Sequence, residues 1–187
     1  MSALEPVTDG AQRLRELMAA EATPQQAWEL FDALETVPVE EVTTGRWRGA
    51  EVDTGHPWAG MLVASGWYGK QFDAADSVQP LLFSTPGGEV FAVDPRRVPL
   101  FLAGKIPPAS LGPVRRSLGV IGALLRTEVP RARLRNLDFR GKSSAAMVYD
   151  HLPIIDIFRR VDADTLLGVM DKRGLAEPYF FVLYRER

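Results

Sequence analysis

Residues 131–187 hold five consecutive segments of strand length, rich in β-branched and aromatic residues, and few folds can accommodate that run. The segments are 132–140, 143–150, 154–161, 165–172 and 179–185. Turn signals separate them at Gly141-Lys142, Leu152-Pro153, Asp162-Ala163-Asp164 and Gly174 to Pro178. Strands that follow each other across such short turns predict an antiparallel meander. Several of them are apolar on both faces. Ile154 and Phe158 alternate with Ile155 and Ile157, and Phe181 and Leu183 alternate with Phe180 and Val182. A sheet of that kind needs cover on both sides, one supplied by curling around its own interior and the other by helices or a second subunit.

The remaining strands needed for closure are sought upstream. Residues 43–52 carry Gly45-Arg46-Trp47-Arg48-Gly49, and 81–84 and 89–93 flank the hairpin signal Thr85-Pro86-Gly87-Gly88. Residues 59–72 are expected to be largely helical, 95–113 irregular because of their prolines, and 114–125 helical on the spacing of Val114, Leu118, Ile121 and Leu125. The first 42 residues read as two helices. Asp9 with Gln12 marks one start, and Thr23-Pro24-Gln25-Gln26 marks the other. Ala27, Leu30, Phe31 and Leu34 give the second helix one apolar face. The expected fold class is α+β or mainly β: N-terminal helices packed on an antiparallel, calycin-like β-barrel, in a single domain over 1–187. Within it, 23–83, 84–130 and 131–187 form three successive segments.

Composition narrows the chemistry. The 187 residues include no cysteine, which excludes disulfides, thiolate metal sites and a thiol nucleophile. His56 and His151 are the only histidines and lack metal-ligand spacing, so neither a metal nor a cofactor is expected. Residues 1–10 lack the basic and apolar regions of a secretory signal, and the longest apolar run, 118–125, is too short to span a bilayer; a soluble, cytoplasmic protein is expected.

Charge is unevenly distributed. Residues 1–42 hold nine acids and two bases, while 96–142 hold eleven bases and two acids. Either the basic stretch is an anion-binding face, or acidic helices lie over it. The second reading is favoured, and nucleic acid disfavoured as a partner, because no recognised nucleic-acid motif accompanies the charge.

At Gly45-X-Trp47-X-Gly49 the chain resembles the bacterial GXWXG family, through Trp58, Gly66-Trp67-Tyr68-Gly69-Lys70 and Phe72. Its second part resembles the domain of unknown function that usually follows that segment. The resemblance is carried by Ser144 to Asp150, Leu152 to Asp156, Phe158 to Asp162 and Asp164 to Asp171. The resemblance names a kind of protein and implies no activity. A looser likeness to lipocalin-like barrels implies a cavity for small apolar ligands, with a late arginine, Arg185, stacked on Trp47.

Candidate ligand contacts follow from these readings. Trp47 reads as an interior plug or a ligand contact. Trp58, Trp67, Tyr68 and Phe72 form an aromatic cluster that reads as core or as a lid. Met147, Tyr149, Ile155, Ile157, Met170 and Phe181 are the expected interior positions of the meander, and Arg133, Arg135 and Arg159 are the cations available for a carboxylate ligand. Asp150 and Asp156, near His151, are candidates for acid/base catalysis or, more simply, for turn capping and ion pairing. No Gly-X-Ser-X-Gly, P-loop or Gly-X-Gly-X-X-Gly is present. The reading preferred is non-enzymatic binding of a small hydrophobic or amphipathic molecule of lipid, fatty-acid or isoprenoid type, with a homodimer compatible with the two-faced sheet. The alternatives are an enzyme using Asp150 and Asp156, and a regulatory protein using the basic stretch 96–142.

Overall fold

The computed structural model describes residues 6–99 and 105–187. Among the described residues, five α-helices and nine strands follow one another: α1 (Pro6–Ala19), α2 (Pro24–Ala33), α3 (Val39–Val42), β1 (Gly45–Val52), α4 (Met61–Ser65), β2 (Trp67–Ala74), β3 (Ser77–Ser84), β4 (Val90–Ala92), α5 (Gly112–Leu125), and then β5 (Ala132–Phe139), β6 (Lys142–Tyr149), β7 (Ile154–Asp162), β8 (Thr165–Lys172) and β9 (Tyr179–Arg185). All strand pairings are antiparallel. The order β2-β1-β9-β8-β7-β6-β5-β3 closes on itself through a further β2–β3 pairing, so these strands form a ring and β4 hangs on β3. The last five strands are the meander expected from the sequence.

Helix α2 begins where its side chains specify. Thr23 Oγ1 accepts from Gln26 N at 3.3 Å while Gln26 Oε1 accepts from Thr23 N at 2.9 Å, a reciprocal capping box with Pro24 at the first helical position. Asp9 lies inside α1 and does not cap it, and it faces Arg13 one turn on. The reading of 95–113 as irregular holds for the described part, apart from short 3-10 turns at Pro95–Arg97 and Pro108–Leu111; residues 100–104 fall outside the described residues, as do 1–5 of the signal-sequence reading.

Residues 59–72 correct the expectation. Only Met61–Ser65 are helical, and Trp67–Ala74 are strand β2. Gly66, with φ +88°, ends the helix in a left-handed conformation that a side chain would resist, and the chain turns there into the ring. The register between β2 and β3 shifts between Trp67 and Gly69 and again between Gly69 and Gln71. These irregularities break the two-residue alternation, so Trp67, Lys70 and Phe72 are all buried.

The ring separates two apolar clusters. Inside lie Trp47, Trp67, Phe72, Leu134, Met147, Tyr149, Phe158, Phe181 and Leu183. Outside, Ile157, Val169, Phe180 and Val182 pack against Leu14, Ala27, Leu30 and Phe31 of α1 and α2. Along β7, Ile154, Asp156 and Phe158 therefore face inward while Ile155, Ile157 and Arg159 face the helices. Arg159 is fully buried there. Its guanidinium lies 4.7 Å from the Phe31 ring and donates to the carbonyl of Phe139 at 3.0 Å, and burial lowers its pKa.

Of the acids in 1–42, Asp32 alone forms an ion pair with the basic stretch among the described residues: Arg140 forks onto it at 2.7 and 2.5 Å, whereas Arg96 and Arg131 both meet the buried Asp94, and Arg126 meets Glu89. Asp94 is held down to about 2, chiefly by its hydrogen bond from Arg96.

Candidate functional site

The two ends of the ring differ. At one end the interior is filled by Trp47, which is fully buried, with Val39 and Val42 of α3 in the same cluster. Trp47 Nε1 donates to Val42 O at 3.1 Å, and Arg185 stacks with its guanidinium 4.7 Å from the indole. The glycines around Trp47 have separate reasons. Gly45 sits at φ +96°, which glycine adopts without penalty. Gly49 is where the Trp67 ring lies across the strand: a Cβ placed there would meet it at 2.1 Å. Trp47 and Trp67 belong to the same interior cluster.

Beyond Trp67 lies a chamber of about 60 Å³. Its polar centre is the pair Lys70–Asp156, with Nζ 2.8 Å from Oδ2 and both side chains 3% exposed. Lys70 donates a second bond to the carbonyl of Pro80 at 3.1 Å. Aromatic rings surround the ammonium: Phe181 at 5.1 Å, and Trp67 and Tyr149 each at 5.8 Å. Among the described residues, Asp156 Oδ1 and Trp67 Nε1 are buried without a hydrogen-bond partner. Burial raises the Asp156 pKa, with the charge of Lys70 pulling it back down. Burial, followed by the charge of Asp156, pushes the Tyr149 hydroxyl well above its ordinary value, so it stays neutral.

The chamber adjoins a second cavity of about 370 Å³, and Trp58, Leu62 and Leu81 line both. The larger cavity lies between β3, α4, α5 and the chain around Val98 and Leu111, and among the described residues Ser65 supplies its one hydroxyl side chain. Glu51 fixes α4, whose Leu62 lines both cavities, by accepting from Gly60 N and Leu62 N, each at 2.7 Å, and from the Tyr179 hydroxyl at 2.6 Å. His56 packs edge-on to Tyr179 and Trp58, and burial lowers its pKa. Lys172 lies 6.0 Å from the Trp58 ring.

Trp58, Trp67, Tyr149, Met170, Phe181 and Asp156 therefore meet around the small chamber. Trp47, Phe72 and Met147 belong to the same interior cluster. The other expected contacts are elsewhere. Ile155, Ile157 and Arg159 are on the helix-covered face, one position out of phase with the inward residues of β7. Arg133 and Arg135 point outward to Asp150 and Asp76, which also removes the exposed Asp150 from the interior. The Tyr68 hydroxyl donates to Glu186. Sequence reasoning missed Lys70, Glu51 and Tyr179. Lys70 was hidden because its segment was read as helix, where a lysine beside Gly69 reads as solvated.

Two family models match the chain: "GXWXG protein" over residues 29–88 and "Domain of unknown function (DUF4334)" over residues 130–185. A solved structure, "Crystal structure of protein from Thermomonospora curvata", is similar over 96% of this chain and 99% of its own, at 36% identity and a TM-score of 0.69. The chain is a GXWXG-domain protein with a C-terminal domain of unknown function. Comparison with curated proteins gives no match. The motif that names the family falls on β1, where Trp47 closes one end of the ring and Gly49 seats the Trp67 ring. Lys70 and Asp156, drawn one from each matched segment, meet in the interior between them.

Proposed function

We propose that the protein binds a small amphipathic molecule without chemical change. The apolar part occupies the cavity beneath α4 and α5, and the polar end reaches the chamber at Lys70 and Asp156. The observation that carries this reading is the adjoining of an apolar cavity of about 370 Å³ to a buried, incompletely satisfied ion pair. Protein interiors are packed to near-crystalline density, and a void of that size lined by apolar side chains is a ready site for an apolar guest. Its drive is removal of apolar surface from water, worth about 25 cal/mol per Å². No exposed cation is needed for this.

The test is displacement of the neutral fluorophore N-phenyl-1-naphthylamine. The protein is expected to enhance its emission, and Leu118→Trp, which fills the cavity from α5, is expected to abolish the enhancement while the fold is retained by circular dichroism. Unchanged fluorophore binding in Leu118→Trp would sink the assignment of the cavity.

A catalytic reading survives at Asp156 alone. It is favoured by the burial that raises this carboxyl beside the neutral Tyr149, as general acid/base work requires. Asp156→Asn separates the two: binding of the apolar fluorophore persists under the binding reading, and turnover is lost under the catalytic one.

A further inference from the structure

We infer that the polar end of the guest is a neutral hydroxyl, so that the cognate class is an apolar alcohol and not a fatty acid. The inference rests on the binding reading above and deepens it.

Residues lining the chamber carry three unused hydrogen-bonding positions. Lys70 Nζ has three N–H bonds, of which Asp156 Oδ2 and Pro80 O take two. Trp67 Nε1 is a buried donor without a partner, and Asp156 Oδ1 is a buried acceptor without one. A single group that both accepts and donates can satisfy this set, and a hydroxyl oxygen does so within a chamber of about 60 Å³. A carboxylate can only accept. It would face Oδ1 of Asp156 with nothing to give, and repulsion between like charges is strongest where water is excluded.

Charge balance points the same way. The Lys70–Asp156 pair is already neutral, so an anionic head adds an uncompensated buried charge. Glu51, another partly buried acid, is committed to two backbone amides and Tyr179. The three arginines suited to gripping a carboxylate are all outside: Arg133 and Arg135 in surface ion pairs, and Arg159 beneath the N-terminal helices. An ammonium head fails for the converse reason, since Lys70 already occupies the aromatic cage.

The test uses the full chain and four probes of one chain length: 1-decanol, 1-methoxydecane, decanoate and decylamine, each displacing N-phenyl-1-naphthylamine at pH 7. 1-Decanol is expected to displace at least about tenfold more tightly than the other three, the ratio that one hydrogen bond to a charged, buried partner supplies. 1-Methoxydecane isolates the donation to Asp156, because it retains the acceptor and lacks the proton. In Asp156→Asn the order is expected to change in favour of decanoate, which then becomes the counter-charge to Lys70.

If none of the four probes competes, the binding reading itself falls. If decanoate or decylamine binds the wild-type protein as tightly as 1-decanol, the alcohol class is wrong and the binding reading stands. Equal affinity for 1-methoxydecane and 1-decanol overturns the role given to Asp156 Oδ1. The wild-type comparisons decide the matter even if Asp156→Asn fails to fold.

Discussion

Replacing Lys70 by methionine tests whether the interior ion pair is integral to the fold or merely tolerated by it. Lys70 Nζ is 2.8 Å from Asp156 Oδ2, both side chains are 3% exposed, and no other cation is paired with this carboxylate among the described residues. Removing one member of such a pair leaves a buried charge unsupported, which typically costs about 3–5 kcal/mol. For a chain of this size each kcal/mol shifts Tm by about 2–4 °C, so Lys70→Met should melt roughly 6–20 °C lower by differential scanning calorimetry at pH 7. The deficit should depend on pH with a definite sign. Burial holds the Asp156 carboxyl above its ordinary value even with Lys70 opposing, and the variant lacks that opposition. A carboxyl whose folded pKa exceeds its unfolded one is most stabilising below the unfolded value and loses that stability as pH rises through the folded value. The gap between variant and wild type should therefore be widest at neutral pH and narrow toward pH 4. The double variant Lys70→Met/Asp156→Leu removes both charges and should recover to within about 1 kcal/mol of wild type or exceed it. A pH-independent deficit, or a double variant worse than the single one, would refute the account of this pair.

Two further changes probe the closed end. Arg185→Ala loses the stack on Trp47 and the bonds to the carbonyls of Glu41 and Ala163, and should cost about 1–3 kcal/mol in urea titrations, with Arg185→Lys recovering only part of it. Gly49→Ala forces a methyl group onto the Trp67 ring, and the overpacking should cost about 1–3 kcal/mol and shift the tryptophan emission; an unperturbed spectrum would show that the two side chains do not meet.

The meander was legible in the sequence because its strands are rich in β-branched and aromatic residues and each turn has its own chemistry. The capping box at Thr23 and the hairpin at Thr85 to Gly88 were legible for the same local reasons. What could not be read was set by tertiary geometry. Strand β2 carries three register shifts against β3 and follows a one-turn helix, so its apolar residues fit neither period cleanly and the segment passed for a helix. In β7 both faces are apolar, so nothing local distinguishes Asp156, which faces inward, from Arg159, which faces the helices. The candidate site was half visible: its aromatic residues and Asp156 were in view. The partner that gives Asp156 its meaning, Lys70, comes from a strand 86 positions earlier.

Strand β9 is bonded on one side to β8 and on the other to β1, pairing Arg185 with Trp47. Strands β5 to β8 can zip up in order as they leave the ribosome, but the ring stays open until β9 reaches back to β1. Throughout that interval Trp47, Trp67 and Phe72 lack their final neighbours, and two strand edges offer themselves to other chains. A nascent or truncated chain that stops short of Tyr179 is thus the hazardous species for the cell, and β9 acts as the latch on the strands made before it.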